Sequence, residues 1–337
     1  MQLCADRDFL PDGKYVDVLG LCKAEPVDTR IGEHAQQVRR DAAEPVRSER
    51  TTVPPMRVEI EPGVRLFVDV AGSSLAPTNE AMIEKPTLLL LHGGPGFDHS
   101  AFRPYFDRFA DTHHVVYIDH RGQGRSDGKD DPSRWHLDTW ADDVVRVCDA
   151  LDITKPVVLG SSFGGFVAMH YAQRHPDHAA KLVLMSTQAR RHGEVSAARF
   201  DALGGADARA CYHRIFVDGS TSADDWIEYA TRCMPFYNTK PSPFGPRRSI
   251  MTFDVLSQFT RDFHAFDIRA DLPAITCPTL VLVGEDDPMT PAEAGEEIMA
   301  GLPAGIGRLV RFDDCGHGTF RDQPDRTETA LRAFFAE

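Results

Sequence analysis

The stretch VVLGSSFGGFVAM, residues 157–169, decides the fold of this chain. It begins with a short apolar run rich in β-branched residues and ends with a run of helix-forming residues. The glycines at positions 160, 164 and 165 allow a sharper reversal from strand to helix than larger residues would, which places Ser162 at the tip of the turn. We therefore predict a strand, a tight turn and a helix that together expose the Ser162 hydroxyl.

Composition limits the class of partner. The chain has 337 residues, a formal net charge of -14 at pH 7 and 42% hydrophobic residues, which is enough for one large α/β core. The negative charge argues against a general affinity for nucleic acid or for anionic membranes, because both would be repelled by most of the surface. It places no restriction on a small-molecule substrate, and the sequence does not indicate an oligomeric state.

Cysteine usage and the amino terminus predict a cytoplasmic protein. The seven cysteines are odd in number, widely spaced and without a CxxC pair, which is typical of free thiols in a reducing compartment. Asp6, Arg7 and Asp8 stand where a signal peptide needs an apolar core, and no run reaches the length of a membrane span.

Residues 1–55 differ from the rest of the sequence. Proline, charge and short polar runs interrupt any period, and only Tyr15–Cys22 forms an apolar patch. We predict a partly disordered or surface-bound extension, with Met56 as an alternative start of translation. A protein that starts at Met56 should then fold and be active.

From Arg57 onward, strands and helices alternate, which predicts a mostly parallel sheet with helices on both faces. Arg57–Glu61 and Val64–Val70 predict a hairpin at its edge. In the first helix we expect Asp138 as the N-cap and Asp143 on the side that faces water. The remaining predicted strands are Thr87–Leu91, Val115–Ile118, the strand before Ser162, Lys181–Ser186, Thr279–Val283 and Arg308–Phe312, and the predicted helices are Leu137–Leu151, the one after Ser162 up to about Arg174, Ala292–Leu302 and Pro324–Phe335.

The alternation stops between residues 187 and 271. We interpret this range as an inserted helical cap on a core made of residues 56–186 and 272–337. Its many aromatic residues are expected to form the interior of the cap more often than to contact a substrate. The helical segments predicted in it are Ala197–Leu203, Asp207–Phe216, Ala223–Cys233 and Ile250–Phe266.

Polar residues follow the predicted strands at the point where each strand ends. In open parallel sheets that edge is where ligands bind. Ser162, Asp287 and His317 all fall there. A serine hydroxyl is a poor nucleophile unless a base takes its proton and an acid orients that base, so these residue types fit acyl transfer. Cys315 stands two residues from His317 but lacks a tight turn, and a buried structural thiol is the expected reading.

These motifs make residues 56–337 resemble the α/β-hydrolase-fold serine hydrolases, whose serine, acid and histidine follow in this order. HGGPG at 92–96 and the D-x-R-G-x-G-R-S pattern at 119–126 further resemble the proline iminopeptidase subgroup and its esterase and lactonase relatives. The resemblance implies an α/β-hydrolase fold: a mostly parallel central sheet, helices on both faces and an inserted helical cap. It implies neither a cofactor nor a metal.

The resemblance also assigns roles to residues. It implies that Ser162 attacks the substrate, that His317 acts as general base and then acid, and that Asp287 orients His317. The N–H groups of Gly94 and Phe163 would form the oxyanion hole. Asp286 is an alternative acid, but the subgroup spacing, three residues after a glycine and four before a proline, favours Asp287. His92 is expected to shape the Gly94 loop by hydrogen bonding.

Three functions remain open at this point. Hydrolysis of a small carboxylic ester or lactone ranks first, because it needs only the triad and the oxyanion hole. An aminopeptidase of the proline iminopeptidase type is the alternative, although such enzymes usually carry tryptophan at the position of Phe163 and hold the substrate amine with cap carboxylates. A ligand-binding protein without catalysis is the third. The carboxylates that the predicted cap offers are Glu194, Glu228, Asp201, Asp207, Asp218, Asp224 and Asp225.

Overall fold

The serine turn lies at the centre of the computed structural model, which describes residues 56–241 and 249–337. Strand β7 (Val157–Ser161) enters the turn and helix α2 (Phe163–Arg174) leaves it, as predicted. The predicted extension, residues 1–55, lies outside the described residues.

Eight strands form one mixed sheet in the order β1-β2-β6-β5-β7-β8-β9-β10. Strands β1 and β2 run antiparallel to their neighbours, and the other six are parallel, so that the predicted mostly parallel sheet is confirmed. Besides β7, the strands of this sheet are β1 (Met56–Glu61), β2 (Val64–Ala71), β5 (Thr87–Leu91), β6 (His114–Ile118), β8 (Lys181–Met185), β9 (Thr279–Gly284) and β10 (Gly307–Phe312).

The continuous apolar runs are explained by burial on both faces of the sheet. Within β5, Leu89 and Leu91 pack into a cluster with α2 and with helix α1 (Leu137–Ala150), whereas Leu88 and Leu90 pack on the opposite face. Because side chains alternate along a strand, a strand covered on both sides needs apolar residues at every position. The remaining helices of the core are α6 (Ala292–Gly301), α7 (Thr319–Asp322) and α8 (Pro324–Phe335).

Helix α1 differs from its prediction at two positions. His136 is its N-cap residue, not Asp138, and its side chain accepts a hydrogen bond from the Thr139 N–H. Asp143 does not face water: it is buried, and it receives two hydrogen bonds from the Arg121 guanidinium, at 2.8 and 2.7 Å. The sequence of α1 does not reveal the arginine that arrives opposite Asp143 from the loop after β6.

Between β8 and β9 the described residues form three helical elements, α3 (Gly193–Phe216), α4 (Ala223–Arg232) and α5 (Phe253–Asp262). Helices α3 and α4 share an apolar cluster with Leu256 of α5, whereas Val255 of α5 belongs to the cluster of α1 and α2. Element α3 consists of two helical stretches that meet at Gly205, where φ is 71° and ψ is -171°, in agreement with the two helices predicted over 197–216. Helix α5 begins three residues later than predicted, because the Ile250 and Thr252 N–H groups donate to Asp98 and to the Gly96 carbonyl.

One hairpin was not predicted. Strands β3 (Leu75–Pro77) and β4 (Met82–Glu84) pair within the polar connection between β2 and β5. Among the helices that the structure describes, none combines the length and the apolar character that a membrane crossing requires.

Candidate active site

The backbone at Ser162 is strained in the way a tip residue requires. Ser162 has φ 54° and ψ -119°, a conformation that non-glycine residues rarely adopt. Hydrogen bonds hold this geometry on both sides of the residue: the Ser162 N–H donates to the Met185 carbonyl at 2.9 Å, and the Ser162 carbonyl accepts from the Thr187 hydroxyl at 2.9 Å.

The glycines predicted to permit the turn are required by close backbone contacts. A Cβ atom on Gly160 would overlap the Gly164 carbonyl, and a Cβ atom on Gly164 would overlap the Leu91 carbonyl at the end of β5. Backbone atoms of a central strand cannot move aside cheaply, so only glycine lets α2 approach the sheet this closely. Helix α2 therefore starts directly above the carboxyl end of β5.

The three side chains predicted for acyl transfer lie in hydrogen-bond contact. His317 Nε2 is 3.0 Å from Ser162 Oγ, and His317 Nδ1 is 2.8 Å from Asp287 Oδ2. With the Nδ1 hydrogen directed at Asp287, Nε2 is free to accept the Ser162 hydroxyl hydrogen. This arrangement can draw a proton from the serine and carry it away from the carbon under attack.

Asp287 is held from several directions, and Asp286 is not. The Asp287 carboxylate is fully buried and accepts the N–H groups of Met289 at 2.8 Å and Thr290 at 2.9 Å. The Thr290 hydroxyl donates to its other oxygen at 2.7 Å. Asp286 is exposed, and its backbone N–H donates to the Cys315 carbonyl at 2.9 Å.

The predicted oxyanion donors come from two neighbouring elements. Phe163 is the first residue of α2, so its N–H has no carbonyl one turn earlier in the helix to bind. The Gly93–Gly94 segment lies against the nucleophile, since a Cβ atom on Gly93 would be 3.3 Å from Ser162 Cβ. His92 shapes this loop as expected: its Nδ1 donates to the Gly93 carbonyl at 2.7 Å, and burial lowers its pKa.

The ring of Phe163 is part of the core. It is fully buried and packs edge-to-face against Trp140 at 5.1 Å, Phe259 at 5.1 Å and His120 at 5.6 Å between ring centroids. A change between phenylalanine and tryptophan at this position therefore alters core packing between α1, α2 and α5.

A buried ion pair fastens the loop after β5 to the loop after β6. His99 Nδ1 donates to Asp119 Oδ1 at 2.6 Å, and His99 Nε2 lies 3.4 Å from Asp69 Oδ2. Burial alone would lower the pKa of His99, but the hydrogen bonds to Asp119 and Asp69 outweigh it and raise that pKa to about 9. The other Asp119 oxygen accepts the Arg125 N–H at 2.9 Å. No motif in the sequence marks His99 and Asp119 as a pair.

The helical segment between β8 and β9 contacts the loops after β5, β9 and β10, which carry Gly94, Asp287 and His317. The sequence did not predict these contacts. The Tyr237 carbonyl accepts the His317 N–H at 2.5 Å, and the two rings are 5.0 Å apart. Arg199 donates to the Asp287 carbonyl at 3.0 Å. The Thr252 N–H donates to the Gly96 carbonyl at 2.6 Å. No local pattern marks these residues, because each contact joins distant parts of the chain.

The carboxylates of this segment are engaged elsewhere or exposed. Glu228 pairs with Arg214 and with Arg232, and Asp225 pairs with Arg214. In the part of the chain that the structure describes, none of the seven carboxylates named above is hydrogen bonded to Ser162 or His317. The others are Asp207, which pairs with Arg232, Asp201, which pairs with Arg209, and the exposed Glu194, Asp218 and Asp224.

Cys315 is buried, and burial raises the pKa of its thiol, so it is in the unreactive thiol form. Across residues 56–241 and 249–337, no group of three or more His, Cys, Asp or Glu side chains is arranged to hold a metal ion.

Known proteins are similar to this chain in sequence, and a solved structure is similar to it in both sequence and fold. A putative carbamate hydrolase RutD of Caulobacter vibrioides is 30% identical over 253 residues, which cover 73% of this chain and 89% of that protein. A proline iminopeptidase of Lactobacillus crispatus is 27% identical over 268 residues, 74% of this chain and 89% of its own. The structure of Est816, described as an N-acyl homoserine lactone degrading enzyme, is 26% identical with a TM-score of 0.56, over 83% of this chain and all of that one.

The sequence profile of the alpha/beta hydrolase fold matches residues 86–324, a range that begins before β5 and includes Ser162, Asp287 and His317. The eight-stranded sheet agrees with that match, and the chain therefore belongs to the alpha/beta hydrolase fold family.

Proposed function

We propose that this chain is a serine hydrolase that cleaves a small carboxylic ester or lactone through an acyl-enzyme intermediate. The observation that carries the proposal is the continuous hydrogen-bonded series from Ser162 Oγ to His317, 3.0 Å, and from His317 to Asp287, 2.8 Å. The similarity to Est816, which is described as a lactone-degrading enzyme, also supports this substrate class.

In the proposed reaction, His317 Nε2 takes the Ser162 hydroxyl proton while Ser162 Oγ bonds to the carbonyl carbon of the substrate. The Gly94 and Phe163 N–H groups stabilise the resulting oxyanion, and removal of one such donor costs about 10²- to 10³-fold in turnover. The imidazolium, supported by Asp287, then gives its proton to the departing alkoxide as the ester bond breaks. A water molecule, deprotonated by His317, releases the acid and restores Ser162.

We also propose that residues 187–271 act as a cap over this site, on a core of residues 56–186 and 272–337. The separate apolar cluster around Phe200, Tyr212 and Tyr229 supports this division. Tyr237, Arg199 and Thr252 contact the loops after β10, β9 and β5, respectively. These contacts support the proposal that the segment covers the site.

An ester or lactone is preferred over an amino-terminal peptide because of the charges in the proposed cap. Recognition of a free amine needs a carboxylate that is not already neutralised. Glu228 and Asp225 are instead paired with arginines of the same segment, and the exposed Glu194 forms no hydrogen bond with Ser162 or His317 in the described residues. The likeness to proline iminopeptidases at the 92–96 motif keeps that activity as the alternative.

The test compares 4-nitrophenyl esters from acetate to octanoate, a γ-lactone and proline 4-nitroanilide on the wild-type protein and on Ser162→Ala. We expect turnover of the esters and the lactone, with a loss on the order of 10⁶-fold in Ser162→Ala. Faster turnover of the anilide would support the aminopeptidase, and binding without turnover would support a ligand-binding protein. Ester hydrolysis that survives in Ser162→Ala would refute the mechanism.

A further inference from the structure

Asp322, at the carboxyl end of α7, is a buried carboxylate whose hydrogen-bond partners are backbone groups of two different segments. Its Oδ2 accepts the Gly316 N–H at 2.7 Å and the Thr239 N–H at 3.1 Å, and its Oδ1 accepts the Lys240 N–H at 3.3 Å. One carboxylate thus joins the loop that carries His317 to residues 237–240, which we call the strap.

The strap follows that loop closely. The Thr239 hydroxyl donates to the Asp314 carbonyl at 3.0 Å, and the Tyr237 carbonyl accepts the His317 N–H at 2.5 Å. A Cβ atom on Gly316 would overlap the Tyr237 carbonyl, so the two backbones touch without an intervening side chain. The position of His317 is therefore fixed from one side by the strap and from the other by Asp287.

An ionised carboxylate suits this task because it accepts from several N–H donors at once, and such charge-assisted hydrogen bonds are short and strong. An asparagine has the same size, but one of its two positions is an N–H donor. In either orientation, that amide would oppose a backbone N–H of Gly316, Thr239 or Lys240. The strap and the His317 loop would then be joined either by neutral and weaker bonds from Gly316 and Thr239 or by the Lys240 bond alone.

We propose that Asp322 is a positioning residue that couples the seating of the strap to the orientation of His317. The inference rests on the proposed function, in which His317 first takes a proton from Ser162 and later delivers it to the leaving alkoxide. Small displacements of a proton donor reduce turnover strongly, even when the donor itself is unchanged.

The distinguishing measurement is the dependence on the leaving group. An alkoxide must be protonated by His317 as it departs, whereas 4-nitrophenolate leaves as a stable anion. A role in stability alone lowers the fraction of folded protein and affects both esters equally. Displacement of His317 lowers kcat/KM more for the ethyl ester than for the 4-nitrophenyl ester of the same acid.

The variant Asp322→Asn removes the charge of the anchor on the core side and at least one of its hydrogen bonds. The control Asp325→Asn makes the same chemical change at an exposed position three residues further along the chain. Thr239→Pro removes one N–H on the strap side, and Thr239→Ser is its control, since it keeps both that N–H and the hydroxyl that binds the Asp314 carbonyl. The acyl group is the one, from acetyl to octanoyl, that the wild-type protein hydrolyses fastest.

For Asp322→Asn and Thr239→Pro we expect the ratio of kcat/KM, ethyl ester over 4-nitrophenyl ester, to fall by about tenfold or more. The two controls should keep the wild-type ratio. Should Asp322→Asn fail to fold, Thr239→Pro decides the question from the strap side. An unchanged ratio in the folded variants would overturn the inference, whereas a wild-type protein that hydrolyses neither ester would refute the proposed function itself.

Discussion

Asp286 and Asp287 are adjacent in the sequence but differ in their surroundings. Asp287 is fully buried, and its carboxylate accepts two backbone N–H groups, the Thr290 hydroxyl and His317 Nδ1. Asp286 is exposed. The sequence favoured Asp287 by its spacing to a glycine and a proline, but spacing does not measure burial or hydrogen bonding.

A pair of variants tests this difference. Asp287→Asn presents an amide to His317 and favours the wrong tautomer of the ring, so kcat for ester hydrolysis should fall on the order of 10³- to 10⁴-fold. Asp286→Asn makes the same change at the neighbouring position and should leave kcat within about twofold of wild type, as expected for an exposed surface substitution. Steady-state kinetics with a 4-nitrophenyl ester checks both, and equal losses would contradict the assignment of Asp287.

At the scale of elements, the loops after β5 and β6 are held together by the buried pair of His99 and Asp119, and this pair makes stability depend on pH. The pKa of folded His99 is raised to about 9, and an unfolded histidine titrates near about 6.5. The stabilisation is therefore complete below about pH 6.5 and is lost as the pH rises through about 9, with a total of roughly 3 kcal/mol.

The measurement is the free energy of unfolding by urea between pH 6 and about pH 9.5, the range that spans both pKa values. The wild-type protein should lose stability steadily across this range. His99→Gln should be less stable at pH 6 and should lose less as the pH rises, because the titrating group is gone. Parallel curves for the two proteins would show that His99 does not carry a proton in the folded state.

The elements that sequence analysis predicted well are those with a local cause. Strand β5 is apolar from Leu88 to Leu91, and the serine turn carries its three glycines within six residues, so both are visible in short windows. The predicted start of α5 and the predicted exposure of Asp143 were wrong, because each depends on a partner from another part of the chain. Thr252 binds Gly96, and Asp143 binds Arg121.

The predicted and the unpredicted residues of the site differ in the same way. Ser162, Asp287 and His317 each follow a strand of a parallel sheet, and strand ends meet at one edge, which allows a sequence to bring them together. The contacts of Tyr237 and Arg199 lie in a helical segment whose placement over the sheet no periodicity encodes. In the sequence, Asp322 is a polar residue near a helix end like many others. Its three backbone N–H partners are visible only in the structure.

At the scale of the whole molecule, residues 1–55 are expected to be dispensable. A protein that begins at Met56 keeps every strand of the described sheet and should match the full chain in denaturation midpoint and in kcat/KM. A protein that begins at Val64 is the matched comparison, because it lacks β1 and the Glu61 carboxylate that binds the buried Arg121 at 2.7 Å. It should be clearly less stable. An insoluble or inactive protein starting at Met56 would contradict the expectation.

The segment between β8 and β9 leaves and rejoins the rest of the chain at nearly the same place. The Ile268 N–H donates to the Ala189 carbonyl at 2.8 Å, and Arg190 and Asp267 form an antiparallel bridge beside it. Because its two ends lie side by side, the segment can be lengthened, shortened or exchanged without a change in the register of the sheet. If the proposed function is correct, a lineage can acquire new substrates through changes in this insert while the chemistry proposed for Ser162 is kept.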